Sequence, residues 1–188
     1  METKVRILKP ALWPAVEKLF GANGACGGCW CIYWRVREGE SWEAIKGKTA
    51  KARMKKGVAD GSIRAVLAFE GREPVGWCTF GPRLDFPRLE RARSLRCDDA
   101  GEVWSLPCFF VRAGHRGKGV GGAMLASALK EMKRLGARTA EGYPSKPGKD
   151  GKYISSFSWT GTMRLFEKRG FKPAGNTGGG KVRLRKEL

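Results

Sequence analysis

A mixed α/β domain, with antiparallel strands early and one parallel strand–helix–strand unit late, is what this sequence predicts. Three stretches carry that expectation. Residues 63–80 contain two apolar runs around a glycine–proline turn, the pattern of an antiparallel hairpin. Residues 103–135 read as a strand, V-W-S-L-P-C-F-F-V, then a glycine-rich loop, R-A-G-H-R-G-K-G-V-G-G. A helix follows in which Val120, Met124, Ala128, Met132 and Leu135 recur on one face. Residues 138–143 read as a short strand after that helix, which a right-handed crossover places parallel to the first strand.

The remaining elements follow in chain order. Residues 5–8 suit a short strand. Residues 11–20 suit a helix: Leu12, Val16, Leu19 and Phe20 share a face, and Pro14 is tolerable near the first turn. Residues 21–28 form a loop, and residues 29–37 are dense in aromatics. Ser41 is a candidate cap for a helix to about residue 56, with Trp42, Ile45, Ala52 and Met54 inward. In the hairpin, Ile63, Ala65, Leu67 and Phe69 alternate onto one face. Residues 81–100, with two prolines and five arginines, read as an irregular basic excursion. A helix over 160–168 ends at Gly170, and strands over 171–174 and 181–184 flank a flexible connection at 176–180.

With 188 residues, 41% hydrophobic and 29% charged, the chain suits one domain spanning 1–188 and is not of disordered composition. No apolar run approaches the roughly 20 residues of a membrane helix, and residues 1–10 lack the apolar core of a secretory signal. The expectation is a cytoplasmic protein without a membrane partner. The 37 basic against 18 acidic residues give a net charge of +19, which attracts polyanions without choosing among them. In that compartment the six cysteines are thiols rather than disulfides.

The glycine loop chooses further. A loop of small residues leading into a helix N-terminus presents backbone N–H groups to an anion, and Arg116 and Lys118 add formal charge. Residues 117–122 satisfy G-x-G-x-x-G, with Glu141 downstream as a ribose-binding acid. Two features argue against a dinucleotide fold: five residues separate Val111 from Gly117, and two cations crowd a turn that normally works through backbone alone. The P-loop pattern fails, since no G-K-[ST] occurs.

R-G-K-G-V-G at 116–121 matches the R-x-x-G-x-G motif of the GCN5-related N-acetyltransferase (GNAT) superfamily. The hairpin carrying P-V-G-W, the strand C-F-F-V, the long helix and the terminal L-F-E-K-R-G-F resemble that superfamily in order, across most of 62–188. C-W-C-I-Y-W-R, the arginine loop and E-G-Y-P are similar to a bacterial branch of it. The resemblance implies a splayed parallel central pair, about four helices, and acetyl-CoA as co-substrate. Phe110 and Val111 would pair with the pantetheine arm, and Arg116, Gly117, Lys118, Gly119, Val120 and Gly121 would hold the pyrophosphate. Pro107 fits the bulge at which the family's central strand splays.

The family's usual acid, a tyrosine in the last helix, is Phe166 here. Tyr143 is the candidate replacement and Glu102 the candidate base, each also readable as structural. His115, the single histidine, falls in the anion loop. Trp30, Tyr33, Trp34 and Arg35 are candidates to line the acceptor pocket, or else form an aromatic minicore. Cys26, Cys29 and Cys31 have the spacing of three zinc ligands, but no second cluster supplies a fourth, so no metal is expected. The implied activity is direct acetyl transfer to a primary amine of a small molecule or peptide, by a monomer or homodimer. Two alternatives stand beside it: an acceptor attached to RNA or a ribosomal protein, and a CoA-binding sensor without transfer.

Overall fold

The computed structural model describes residues 2–148, 151, 153, 155–175 and 181–188. Its strands are β1 (Thr3–Ile7), β2 (Arg64–Glu70), β3 (Glu73–Pro82), β4 (Val103–Val111), β5 (Thr139–Gly142), β6 (Lys172–Pro173) and β7 (Leu184–Glu187). They form one sheet in the order β1-β2-β3-β4-β5-β7-β6. The β4–β5 pair is parallel and the other pairs are antiparallel. The helices are α1 (Trp13–Phe20), α2 (Trp42–Ile45), α3 (Lys48–Ala59), α4 (Arg88–Arg91), α5 (Val120–Arg134) and α6 (Met163–Glu167).

Successive residues of a strand face opposite sides of the sheet, and both sides here are covered. Ala65, Leu67 and Phe69 of β2 pack with Trp77 and Cys108 against Val16, Leu19 and Phe20 of α1 and Ala50 and Met54 of α3. Val66 and Ala68 of the same strand point the other way, joining Phe80, Leu106 and Phe109 beneath Val120, Met124, Leu125 and Ala128 of α5. A smaller cluster of Trp34, Phe86, Leu89, Leu95 and Tyr143 closes the end where β4 and β5 diverge.

Four elements differ from the sequence expectation. The helix expected over 41–56 is broken at Gly47, whose φ of 82° is left-handed and whose N–H bonds to the Gly28 carbonyl. Ala52 is consequently exposed rather than inward. The excursion at 81–100 is less irregular than expected: β3 extends to Pro82, and the rest contains α4 and two 3-10 turns. The last helix is short because Gly161, at φ 89°, separates α6 from a 3-10 turn at Ser155–Thr160. The last strand starts at Leu184, where the strand expected over 181–184 ends. The connection expected at 176–180 lies outside the described residues.

Candidate active site

β4 and β5 pair only from Val103–Thr139 to Leu106–Gly142. Pro107 comes next and has no N–H to give a ladder. The β3–β4 register shifts at the same level, between Thr79 and Gly81. The Pro107 carbonyl turns out of the sheet and accepts from the Trp34 indole at 3.0 Å. From Cys108 to Val111, β4 remains paired with β3 on one edge while its other edge has left β5. An opened strand edge is thereby offered to an extended ligand.

That edge forms one wall of a cleft of about 870 Å³. Phe109, Phe110 and Val111 line it, followed by Arg116, Gly117, Gly119, Val120 and Gly121. Gly117 and Gly119 have φ of 74° and 87°, which a side chain would strain. Gly119 caps α5 with no side chain bonding to the first turn, leaving N–H groups there for a ligand. The Arg116 Nε–H donates to the Val111 carbonyl at 2.9 Å, fixing the guanidinium beside the loop. Lys118 stands exposed in the same loop. Trp159, Gly161, Thr162, Arg164, Lys168 and Arg169 form the opposite wall. The three cations contributed by α6 and the turn after it were missed by the sequence reading, although R-L-F-E-K-R already displays them. His115 lines the mouth with Nδ1 3.0 Å from Glu70 Oε1, so it faces a carboxylate as well as the cleft.

The inner end of the cleft is backed by a buried polar knot. The Arg83 side chain is fully buried. It donates to Glu141 Oε1 at 2.5 Å, Glu90 Oε1 at 2.7 Å, the Tyr143 hydroxyl at 2.7 Å and the Leu95 carbonyl at 2.5 Å. Glu141 also accepts from Arg183 at 3.2 Å and Arg185 at 2.6 Å. Arg185 reaches on to Asp99 in a two-pronged pair at 2.6 and 2.7 Å.

These contacts revise several expected roles. Tyr143 is fully buried, shares its hydroxyl with Arg83 and Ser105, and does not line the cleft. Burial, then the Glu141 charge, pushes its phenol well above the ordinary value. Glu102 lies exposed before the first residue of β4, about 23 Å of strand from Phe109 at the usual rise per residue. Glu141 is sealed among three arginines.

The aromatic segment also divides. Trp30 is inside the core, stacked on Trp13 with ring centroids 6.1 Å apart. Trp34 is buried against Trp159, at 5.4 Å. Arg35 is mostly buried, its guanidinium 4.4 Å from the Phe86 ring and donating to the Asp85 carbonyl at 3.4 Å. Tyr33 is half-buried, between Trp42 and Trp159 with Arg88 above its ring. Tyr33 and Trp34 meet at Trp159, while Trp30 and Arg35 pack elsewhere, so the four present no common surface.

Cys31, buried beside Cys108, accepts from the Trp77 indole at 3.2 Å. Burial raises this thiol, but hydrogen bonds from Cys108 and Trp77 and the Arg35 charge outweigh it and leave the group below its ordinary value. Trp30 and Cys31 both have positive φ, 43° and 54°, a backbone strain that bulky residues rarely accept. Among the described residues no group of histidine, cysteine or acidic side chains is arranged to hold a metal ion.

Residues 30–143 match the model of the acetyltransferase (GNAT) family. The chain belongs to that family. Accordingly it is an acetyl-CoA-using acetyltransferase that acts on an amine. No curated protein sequence matches the chain. Solved structures repeat the fold at low identity. A PaiA N-acetyltransferase from Thermoplasma acidophilum, solved with coenzyme A, is 17% identical over 100% of both chains, with a TM-score of 0.58. YncA from Salmonella typhimurium, solved with acetyl-CoA, is 15% identical over 99% of this chain and 94% of its own, with a TM-score of 0.57. A ribosomal-protein-alanine N-acetyltransferase from Brucella melitensis is 14% identical over 98% and 99%, with a TM-score of 0.59. The mixed sheet that carries the splayed central pair of this GNAT chain is therefore a fold it shares with these structures.

Proposed function

We propose that the chain acts as a single domain of residues 1–188 and transfers acetyl directly to a primary amine of a small molecule or peptide. Both substrates would be bound together. One observation supports this most: the opened edge of β4 and the loop at the α5 N-terminus lie in one continuous cleft. A strand edge suits the amides of a pantetheine arm, and a helix N-terminus with Arg116 and Lys118 suits a pyrophosphate. Arg164, Lys168 and Arg169, across the cleft, suit the further phosphate of coenzyme A. Bound there, acetyl-CoA supplies an activated acyl group. The chain's own part is to align that group against the bulge at Pro107, where the backbone N–H of Phe109 or Phe110, whichever points away from β3, is the candidate donor to a developing oxyanion. No covalent enzyme intermediate is needed.

An acceptor attached to RNA stays as the second reading. Of the five arginines of the basic excursion, Arg83 is sealed in the buried knot, while Arg88, Arg91 and Arg96 hold ring or carbonyl partners that leave their charge in place. Arg91, Arg93 and Arg96 are exposed, so that charge can still meet a polyanion. No described helix is long and apolar enough to cross a membrane. We place the enzyme in the cytoplasm, as a monomer or homodimer.

Thermal unfolding with and without acetyl-CoA tests the reading. Millimolar acetyl-CoA raises the wild-type midpoint, and Arg116→Glu abolishes the rise. No rise in wild type sinks the proposal. A thiol-release assay over a panel of primary amines separates an enzyme from a sensor, since turnover on any amine excludes the latter.

A further inference from the structure

With phenylalanine at 166 and Tyr143 sealed in the Arg83 knot, the described cleft lacks the acid of its family. A cation from the far end of the chain, Lys181, lies behind the inner wall of that cleft, against Trp159. Lys181 Nζ donates to Ser145 Oγ at 3.0 Å and to Thr160 Oγ1 at 2.9 Å, and stands 5.1 Å from the centre of the Trp159 ring. Each partner fixes its position. Ser145 continues the β5 side of the splay beyond Tyr143, bridging both Lys181 and Thr162. Trp159 and Thr162 line the cleft on either side of Thr160. Across the gap, Cys108 of β4 is the ionisable neighbour that acts on the amine, and Phe109 beside it lines the cleft. Lys181 thus lies between the two diverging strands, directly behind the inner wall.

We infer that Lys181 is the proton carrier of the transfer reaction, taking over the task of the missing tyrosine. This rests on the acetyltransferase reading above. Lys181 in its uncharged form accepts one proton from the acceptor's ammonium group through the Thr160 or Ser145 hydroxyl. The freed amine nitrogen forms a bond to the acetyl carbon, and the carbon–sulfur bond breaks. Lys181 then returns its proton to the departing sulfur, and the second N–H proton of the adduct leaves to solvent. Lys181 ends unchanged, and the products are the amide, the free thiol and one released proton.

The surroundings favour that cycle. Burial lowers the Lys181 amine to about 8, with Cys108 acting weakly in the other direction. At pH 7.5 about a quarter of the amines are then uncharged, against about one in a thousand at the ordinary lysine value. A free thiol titrates near 8.5, so proton exchange between the two groups is close to balanced. Among the described titratable groups on the segments around it, Tyr143 is held in the knot, Arg183 is held on Glu141, and Lys146 is exposed.

Two measurements test this. The first needs no acetyl-CoA: competitive labelling of the free protein's lysines with acetic anhydride across pH, read by mass spectrometry. Lys181 is expected to titrate near pH 8, and a midpoint above 10 overturns the inference. The second takes the best amine found by thiol release. Wild-type kcat/KM should rise with pH through about 8, and Lys181→Met should lose about 100-fold or more and flatten that profile. Lys181→Arg keeps charge and bulk but cannot give up its proton, so it should be equally slow while still stabilised by acetyl-CoA. A tertiary amine such as trimethylamine, which forms no stable amide, should restore part of the Lys181→Met rate. Full activity in both variants overturns the inference and leaves the transferase reading standing. Absence of acetyl-CoA stabilisation in wild type removes the transferase reading instead.

Discussion

The two ends of the cleft are built on different principles. The outer end, from Phe109 to Gly121, is one continuous segment that offers backbone: an open strand edge, two glycines with left-handed φ and an uncapped helix. The inner end is assembled from side chains of five separated segments, around Trp34, Arg83, Tyr143, Trp159 and Lys181. A backbone site tolerates much change in its neighbours, because its donors are present whatever the side chains are. The inner end depends on each partner. This divides the labour: the outer end works through backbone donors, and the inner end works through the side chains it assembles.

The largest test of that contrast removes Glu141. Glu141→Ala leaves Arg83 buried beside the Tyr143 hydroxyl without its principal counter-charge, and frees Arg183 and Arg185. Breaking a buried pair from one side costs about 3–5 kcal/mol, because an uncompensated charge remains. Urea unfolding should show that loss, with β5 and β7 as the least protected part of the sheet in hydrogen exchange. A substitution at the outer end should behave in the opposite way. Arg116→Glu should lose acetyl-CoA stabilisation with almost no change in the unfolding midpoint of the free protein. Equal destabilisation by the two variants would remove the distinction.

The same contrast decides what could be read from the sequence. The outer end was legible because strand, glycine loop and helix follow one another in 33 residues, and each leaves a local pattern. The alternation of Ala65, Leu67 and Phe69 was legible for the same reason. Tyr143 and Glu102 were placed by position along the chain, and such placement says nothing about what faces them. That Tyr143 meets Arg83 follows from the way residues 83–95 fold back under β5, a contact 60 residues apart. The break at Gly47 likewise follows from a carbonyl 19 positions away, at Gly28. Lys181 is not legible in the sequence because its neighbourhood there is glycines and further cations, and its role comes from distant residues such as Ser145, Thr160 and Cys108.

Phe166 gives a test of intermediate size. Its ring is fully buried against Phe109 and Phe171, with centroids at 5.8 and 5.0 Å. It also fills the space that a side chain at Gly142 or Gly161 would need. Phe166→Tyr restores the family's acid in name, but adds a hydroxyl to an apolar cluster. The expected cost is about 1–3 kcal/mol for an unsatisfied buried group, read from urea midpoints. No gain in kcat is expected, since the ring is packed in the apolar cluster beneath α5 and does not line the cleft. A faster Phe166→Tyr enzyme would mean that the helix can deliver a proton after all.

The smallest effect concerns the rim of the knot. Asp99 grips Arg185 with both oxygens, and that hydrogen bonding holds its carboxyl well below the ordinary value of 3.8. A depressed carboxyl stabilises the fold while ionised, so its contribution is present above the ordinary value and is lost as pH falls through and below it. The Asp99 side chain is 43% exposed, and solvent screens the pair to under about 1 kcal/mol. Asp99→Asn should therefore unfold slightly earlier than wild type in urea at pH 5, and the gap should narrow steadily toward pH 2. At pH 5 the gap should also shrink in 1 M salt, where screening acts within about 3 Å. Glu141, sealed from solvent, should show no comparable salt dependence in its own variant. A salt response of equal size at Asp99 and Glu141 would place both carboxylates in the same environment, which the burial of Glu141 contradicts.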